Sequence, residues 1–134
     1  MSRRVLDVGQ CGYDHGQISR AIESEFDATV SAAHSGPDAL AQLRDGTFDL
    51  VLINRLLDRD GSSGMDILGK IKADPALAAI PVMLVSNYAD AQSAAVAAGA
   101  VAGFGKNDLR STVALDKVRP YLQQRGDGSR PGGS

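Results

Sequence analysis

Asp49-Leu50-Val51-Leu52-Ile53-Asn54 is the stretch that decides the fold. Four consecutive aliphatic residues leave no polar face, so the segment reads as a strand covered on both sides, as in a parallel sheet. Its apolar run stops at Asn54. Two further runs end in the same manner: Val82 to Val85 closes on Ser86, and the shorter, glycine-weakened 101–105 closes on Lys106. An amide, a hydroxyl and an ammonium therefore stand at the ends of three strands.

Working outward, apolar runs alternate with amphipathic stretches, which points to βα units around a parallel sheet. Val5 to Val8 is the first strand, interrupted by Asp7. Asp14 reads as a helix N-cap, with Gln17 completing a capping box before Ile18, Ile22 and Phe26. Ala28 to Ala33 is a second strand, and Ser35 caps a helix that carries Pro37 in its first turn. The polar loop Arg55 to Ser63 leads into a helix over Gly64 to Ala73, ended by Asp74-Pro75. Pro81 introduces the fourth strand. The alanine-rich 90–98 forms the next helix, closed by Gly99. Leu109, Val113, Val118 and Leu122 mark a final helix that Pro120 is expected to kink. Five such units predict a doubly wound, flavodoxin-like (βα)5 domain with a five-stranded parallel sheet in order 2-1-3-4-5, spanning residues 1–125. Residues 126–134, Gly-Asp-Gly-Ser-Arg-Pro-Gly-Gly-Ser, read as a flexible tail or truncated linker.

Composition narrows the function classes. The 134 residues are 43% apolar and 22% charged, ordinary for a globular domain. The formal net charge of −2 supplies no pull toward nucleic acid or an anionic membrane. Cys11 is the single cysteine, so neither an intrachain disulfide nor a cysteine zinc site is available. No apolar stretch approaches the roughly 20 residues of a membrane span. A soluble, cytoplasmic protein is expected.

In such sheets, ligands bind outside the carboxyl ends of the strands, beside the switch point between strands 1 and 3. Gly9, Gln10, Cys11, Asn54, Ser86 and Lys106 fall there. With Gly99-Ala100 seven residues before the lysine, these intervals resemble the receiver domain (CheY-like) of two-component response regulators, over about residues 3–124. The resemblance implies a signalling domain of a phosphorelay, without enzymatic activity. Its partner would be another protein or a second copy, held on the face of helix 4, strand 5 and helix 5. That face runs from Ala89 to Gln123, with Gln92, Lys117, Arg119 and Tyr121 as its exposed contacts.

The departures from the family matter as much. Where a receiver has an aspartate that accepts phosphate, this chain has Asn54, whose amide lacks an anionic nucleophile. Where it has two or three acids, this chain has Gly9, Gln10 and Cys11, so Mg²⁺ loses the carboxylates it prefers, and binding should be weak or absent. Its aromatic switch position is Gly103, with Phe104 displaced by one. The loop after Asn54 lacks the usual proline and is about two residues longer. The expected result is a pseudo-receiver that is not phosphorylated at the usual site and acts through protein interaction.

Several residues invite sharper expectations. Asn54 should hydrogen-bond Ser86 or Lys106. Lys106, without its anionic neighbours, should reach solvent or find Asp58, Asp60 or Asp14. Asp7 needs a partner inside a parallel sheet, and with Asp58 and Asp60 it is a possible compensating acid. Cys11, Asp14 and His15 lie close in sequence but match no metal-site spacing, and His34 reads as a structural or solvent-facing loop residue. A rival reading takes Val5-Leu6-Asp7-Val8-Gly9-Gln10-Cys11-Gly12 as the opening motif of an S-adenosylmethionine-dependent methyltransferase. That reading explains Asp7, but Cys11 stands where glycine is wanted, and the second strand ends without a ribose-gripping acid.

Overall fold

The computed structural model describes residues 2–122; the tail at 126–134 and Gln123 lie outside them. Five parallel strands, β1 (Arg3–Val8), β2 (Ala28–Ala33), β3 (Leu50–Asn54), β4 (Val82–Val85) and β5 (Val101–Phe104), form one sheet. Their order is β2-β1-β3-β4-β5, as the alternating pattern predicts. Helices α1 (Gly12–Glu25), α2 (Gly36–Asp45), α3 (Gly64–Ala73), α4 (Ala89–Ala97) and α5 (Val113–Val118) connect and cover it. No helix among the described residues is long and apolar enough to cross a membrane. The five-stranded order offers no support to the methyltransferase reading, and Gly12 of its motif is already the first residue of α1.

Successive strand residues face opposite sides, which divides the core in two. Val51 and Ile53 pack with Ala39, Leu43, Ile67, Leu68, Ile71 and Ala95 beneath α2, α3 and α4. Leu50 and Leu52 pack with Ile18, Ile22, Met83, Phe104 and Val118 beneath α1 and α5. All four aliphatic residues of β3 are fully buried, and each such side chain contributes roughly 1.5–3 kcal/mol by leaving water. This double cover is why the strand tolerates no polar residue before its last position.

Three boundaries differ from expectation. Helix α1 begins three residues early: Cys11 is the N-cap, its Sγ accepting from Asp14 N at 3.4 Å, so Asp14 sits in the first turn. The final helix is divided. Leu109 belongs to a separate 3-10 turn, Lys106–Arg110, and Pro120 falls in a second one, Arg119–Tyr121, at the end of α5. Pro120 lies where the α-helix has already ended, so it kinks nothing.

The pairing of β4 with β5 is irregular. Met83 aligns with Val101 and Val85 with Phe104, so Leu84 opposes both Ala102 and Gly103. A bulge of this kind takes backbone groups out of the ladder. Gln92 of α4 restores them: its Nε2 donates to Leu84 O at 2.8 Å and Ser86 O at 3.1 Å, and its Oε1 accepts from Gly103 N at 3.0 Å. A Cβ on Gly103 would run into Leu84 O and crowd the Gln92 amide. Gln92 thus faces the sheet and is half-buried, not an exposed contact residue as its place on helix 4 suggested. Replacing Gln92 with alanine is expected to cost about 1–3 kcal/mol, the penalty for leaving such backbone groups unpaired. The loss should appear as a lower urea midpoint with an unchanged slope.

Candidate functional site

The carboxyl ends of β1, β3 and β4 and the turn after β5 meet at one edge of the sheet. Gly9 sets the geometry there. Its φ of +81° is left-handed, and a Cβ would strike the buried side chain of Leu57, so only glycine fits. Gly9 N donates to Ala33 O, and Gly9 O accepts from Asp58 N, both at 2.8 Å.

Gly9 O also accepts from Asn54 Nδ2 at 3.1 Å. The amide therefore bonds across to the β1 loop, and not to Ser86 or Lys106 as expected. The reason is local: the turn at Gly9 leaves a carbonyl within reach of the half-buried end of β3. Asn54, Ser86 and Lys106 still converge. All three line a cavity of about 270 Å³, together with Arg55, Asn87 and Tyr88.

Lys106 makes an ion pair with Asp14, Nζ to Oδ2 at 2.7 Å, while retaining about a third of its side-chain exposure. Of the expected outcomes, the Asp14 pairing is the one found. The ammonium beside it, through its hydrogen bond first, holds the Asp14 carboxyl below the usual range. Ser86 is nearly buried, its N–H donating to Phe104 O at 3.0 Å and its Oγ accepting from Tyr88 N at 3.1 Å.

Asp7 has the partner that its position demanded. Its Oδ2 lies 2.8 Å from Nδ1 of His15, one turn into α1. The early start of α1 is what brings His15 over the sheet. Burial pushes the Asp7 carboxyl up, against the lowering effects of His15, Gln10 and Lys106. His15 is raised in turn, chiefly by its bond to Asp7, with Glu23 adding to the field. Gln10 adjoins the pair and is buried, but its Nε2 and Oε1, like Asp7 Oδ1, have no hydrogen-bond partner that meets good geometry.

The other candidate acids lie elsewhere. Asp58 and Asp60 are exposed on the loop after β3. Asp60 turns back on Ser62, accepting from its Oγ at 2.7 Å and its N–H at 2.9 Å, which lowers its carboxyl. Cys11, Asp14 and His15 are each engaged separately, as cap, ion pair and Asp7 partner. His34 is exposed, as expected. At the expected switch position, Gly103 belongs to the bulge, and Phe104 is buried beneath α5 with Met83, Val85, Ala114 and Val118. Val101 packs on the same face although it lies three residues earlier, because the bulge adds one residue between them.

Arg55, Asn87 and Tyr88 were not singled out from sequence. Arg55 directly follows β3, and Asn87 and Tyr88 follow Ser86, so the rule that sheets bind at strand ends was the available signal. The Arg55 guanidinium lies 5.2 Å from the centre of the Tyr88 ring.

No family model matches the chain. The transcriptional regulatory protein ZraR of Salmonella typhimurium is 37% identical over 91 residues, 65% of this chain. The chain spans only 19% of the length of that relative. Among solved structures, the chemotaxis response regulator CheY4 of Vibrio cholerae superposes with a TM-score of 0.71 at 17% identity, covering 91% of this chain and 100% of that one. The signal receiver domain of a DNA-binding response regulator from Colwellia psychrerythraea gives a TM-score of 0.68 at 28% identity, covering 79% and 87%. The fold is that of the response-regulator receivers.

The Asp7–His15 pair generates a pH dependence with a definite sign. Asp7 is raised from 3.8 and His15 from 6.5, so the folded chain keeps protons that the unfolded chain has released. Stability then falls with rising pH. The His15 contribution is complete below 6.5 and is lost as pH climbs through its raised value. Chemical denaturation across that interval should show wild type losing stability, and an Asp7→Asn variant should show a flatter profile. A wild-type profile that rises there would contradict the assignment.

Proposed function

We propose that this chain is a receiver-like signalling domain that is not switched by an aspartyl phosphate and works by binding another protein. One observation carries the proposal: the cavity beside Asn54 is lined by no carboxylate, while every nearby acid is committed elsewhere or faces solvent. Phosphoryl transfer to a receiver needs an anionic oxygen as nucleophile and a cation to neutralise developing charge. Asn54 supplies no such oxygen. Gly9, Gln10 and Cys11 supply no carboxylates for Mg²⁺, whose preference for them is strong. Asp7 is buried against His15 and Asp14 is paired with Lys106, so neither compensates.

The interaction face is taken from the resemblance: α4, β5 and α5. Its support is the exposed aliphatic surface of Val96 and Val113, at 47% and 42% exposure, beside the exposed Lys117. Arg119 points away from that face, toward Glu25 and Phe26 at the end of α1, and Tyr121 is half-buried. Another protein or a second copy is the proposed occupant, in the cytoplasm and without nucleic acid held by this domain. ZraR is a transcriptional regulatory protein; an attached output module of that kind is compatible with the proposal.

Incubation with Mg²⁺ and a small-molecule phosphodonor, followed by intact mass measurement, tests the chemistry. No phosphoryl adduct is expected on the wild-type pocket; an adduct mapped there would overturn the proposal. An Asn54→Asp variant alone is expected to remain unmodified under the same conditions, because the metal carboxylates are still missing.

A further inference from the structure

We propose that the cavity at Asn54 is a metal-independent site for a small organic oxyanion, of the class of an aryl phosphate. The inference rests on the proposed loss of phosphotransfer and assigns the vacated chemistry a different, noncovalent ligand.

The cavity is rich in donors. Arg55 brings a guanidinium for which, among the described residues, no carboxylate partner exists within ion-pair distance. Lys106 brings an ammonium with one hydrogen committed to Asp14 and two remaining. Ser86 Oγ accepts from Tyr88 N, which leaves its own hydrogen to donate. Asn54 uses one amide hydrogen on Gly9 O and keeps the other. Asn87 accepts from Asn107 N through Oδ1, so its amide hydrogens are also available. Two cations and three neutral donors, with no acid in the lining, select an anion over a cation.

The neighbouring surface shapes the rest of the ligand. A second cavity of about 480 Å³ shares Arg55 and Tyr88 with the first and is otherwise lined by Asp90, Ala91 and Ala94. Tyr88 is 59% exposed, and the two alanines leave space beside its ring and the Arg55 plane, surfaces on which a flat group stacks. Asp90 sets the polarity. Its carboxylate repels an anion from the outer cavity, so the oxyanion belongs inward, against Lys106 and Ser86, with the ring outward.

Phenyl phosphate, titrated without Mg²⁺ and followed by backbone amide NMR, is the direct test. Saturable shifts are expected at Asn54, Ser86, Tyr88 and Lys106, with inorganic phosphate binding more weakly because it cannot use the outer cavity. Arg55→Ala and Lys106→Ala should each weaken binding by about tenfold, a loss typical of one charge-assisted contact. Asn54→Asp should weaken it as well, by placing a carboxylate against the anion. Absence of saturable shifts, indifference to both cation variants, or a requirement for Mg²⁺ would overturn the proposal. Amide spectra of the variants establish that each is folded. Intact mass on the same samples separates the two claims: a covalent phosphoryl adduct defeats the loss of phosphotransfer, whereas neither adduct nor binding defeats only the anion site.

Discussion

A strand covered on both faces has no freedom over where its polar end emerges. Leu50 to Ile53 are held between two helical layers, so Asn54 is the first residue of β3 able to meet solvent or a ligand. The same constraint acts on β4 and places Ser86. Two of the site's side chains are thus positioned by hydrophobic burial several residues away. The turn after β5 adds Lys106, and the cavity forms where these ends meet.

What differs from the receiver pattern is charge. A receiver's rim is acidic, and its lysine and hydroxyl act on a phosphoryl group fixed to a carboxylate. Here the rim carries Gly9, Gln10 and Cys11, and two of them have structural tasks. Gly9 makes a left-handed turn under Leu57, and Cys11 caps α1. Gln10 is buried beside Asp7. The nearby acids are engaged elsewhere, Asp14 neutralising part of Lys106 and Asp7 holding His15. A donor-rich lining in place of a cation-binding rim is the physical link between the proposed absence of phosphotransfer and the proposed anion site.

The bulge between β4 and β5 constrains Gly103 and Phe104. Gly103 is required by the approach of Leu84 O and the Gln92 amide, and the ring one position on lies in the core. An aromatic side chain locked between α5 and the sheet cannot move between inside and outside without a cost of several kcal/mol. Gln92 bonds the backbone of Ser86, the hydroxyl residue of the cavity, and spans both strands.

Much of this was legible in sequence. Aliphatic runs, caps at Ser35 and stops at Asp74 and Gly99 are local signals with local causes, and they determined the five strands, their order and the convergence of Asn54, Ser86 and Lys106. Partner choice was not legible. Asn54 meets Gly9, Asp7 meets His15, Lys106 meets Asp14 and Gln92 meets the β4–β5 bulge. Each joins elements separated along the chain, and no periodicity encodes which of several donors will be closest once helices and strands have packed. Sequence alone placed Asn54, Ser86 and Lys106 at the edge of the sheet; tertiary packing alone decided what each one holds, because hydrogen bonds depend on tenths of an ångström and burial on whole elements.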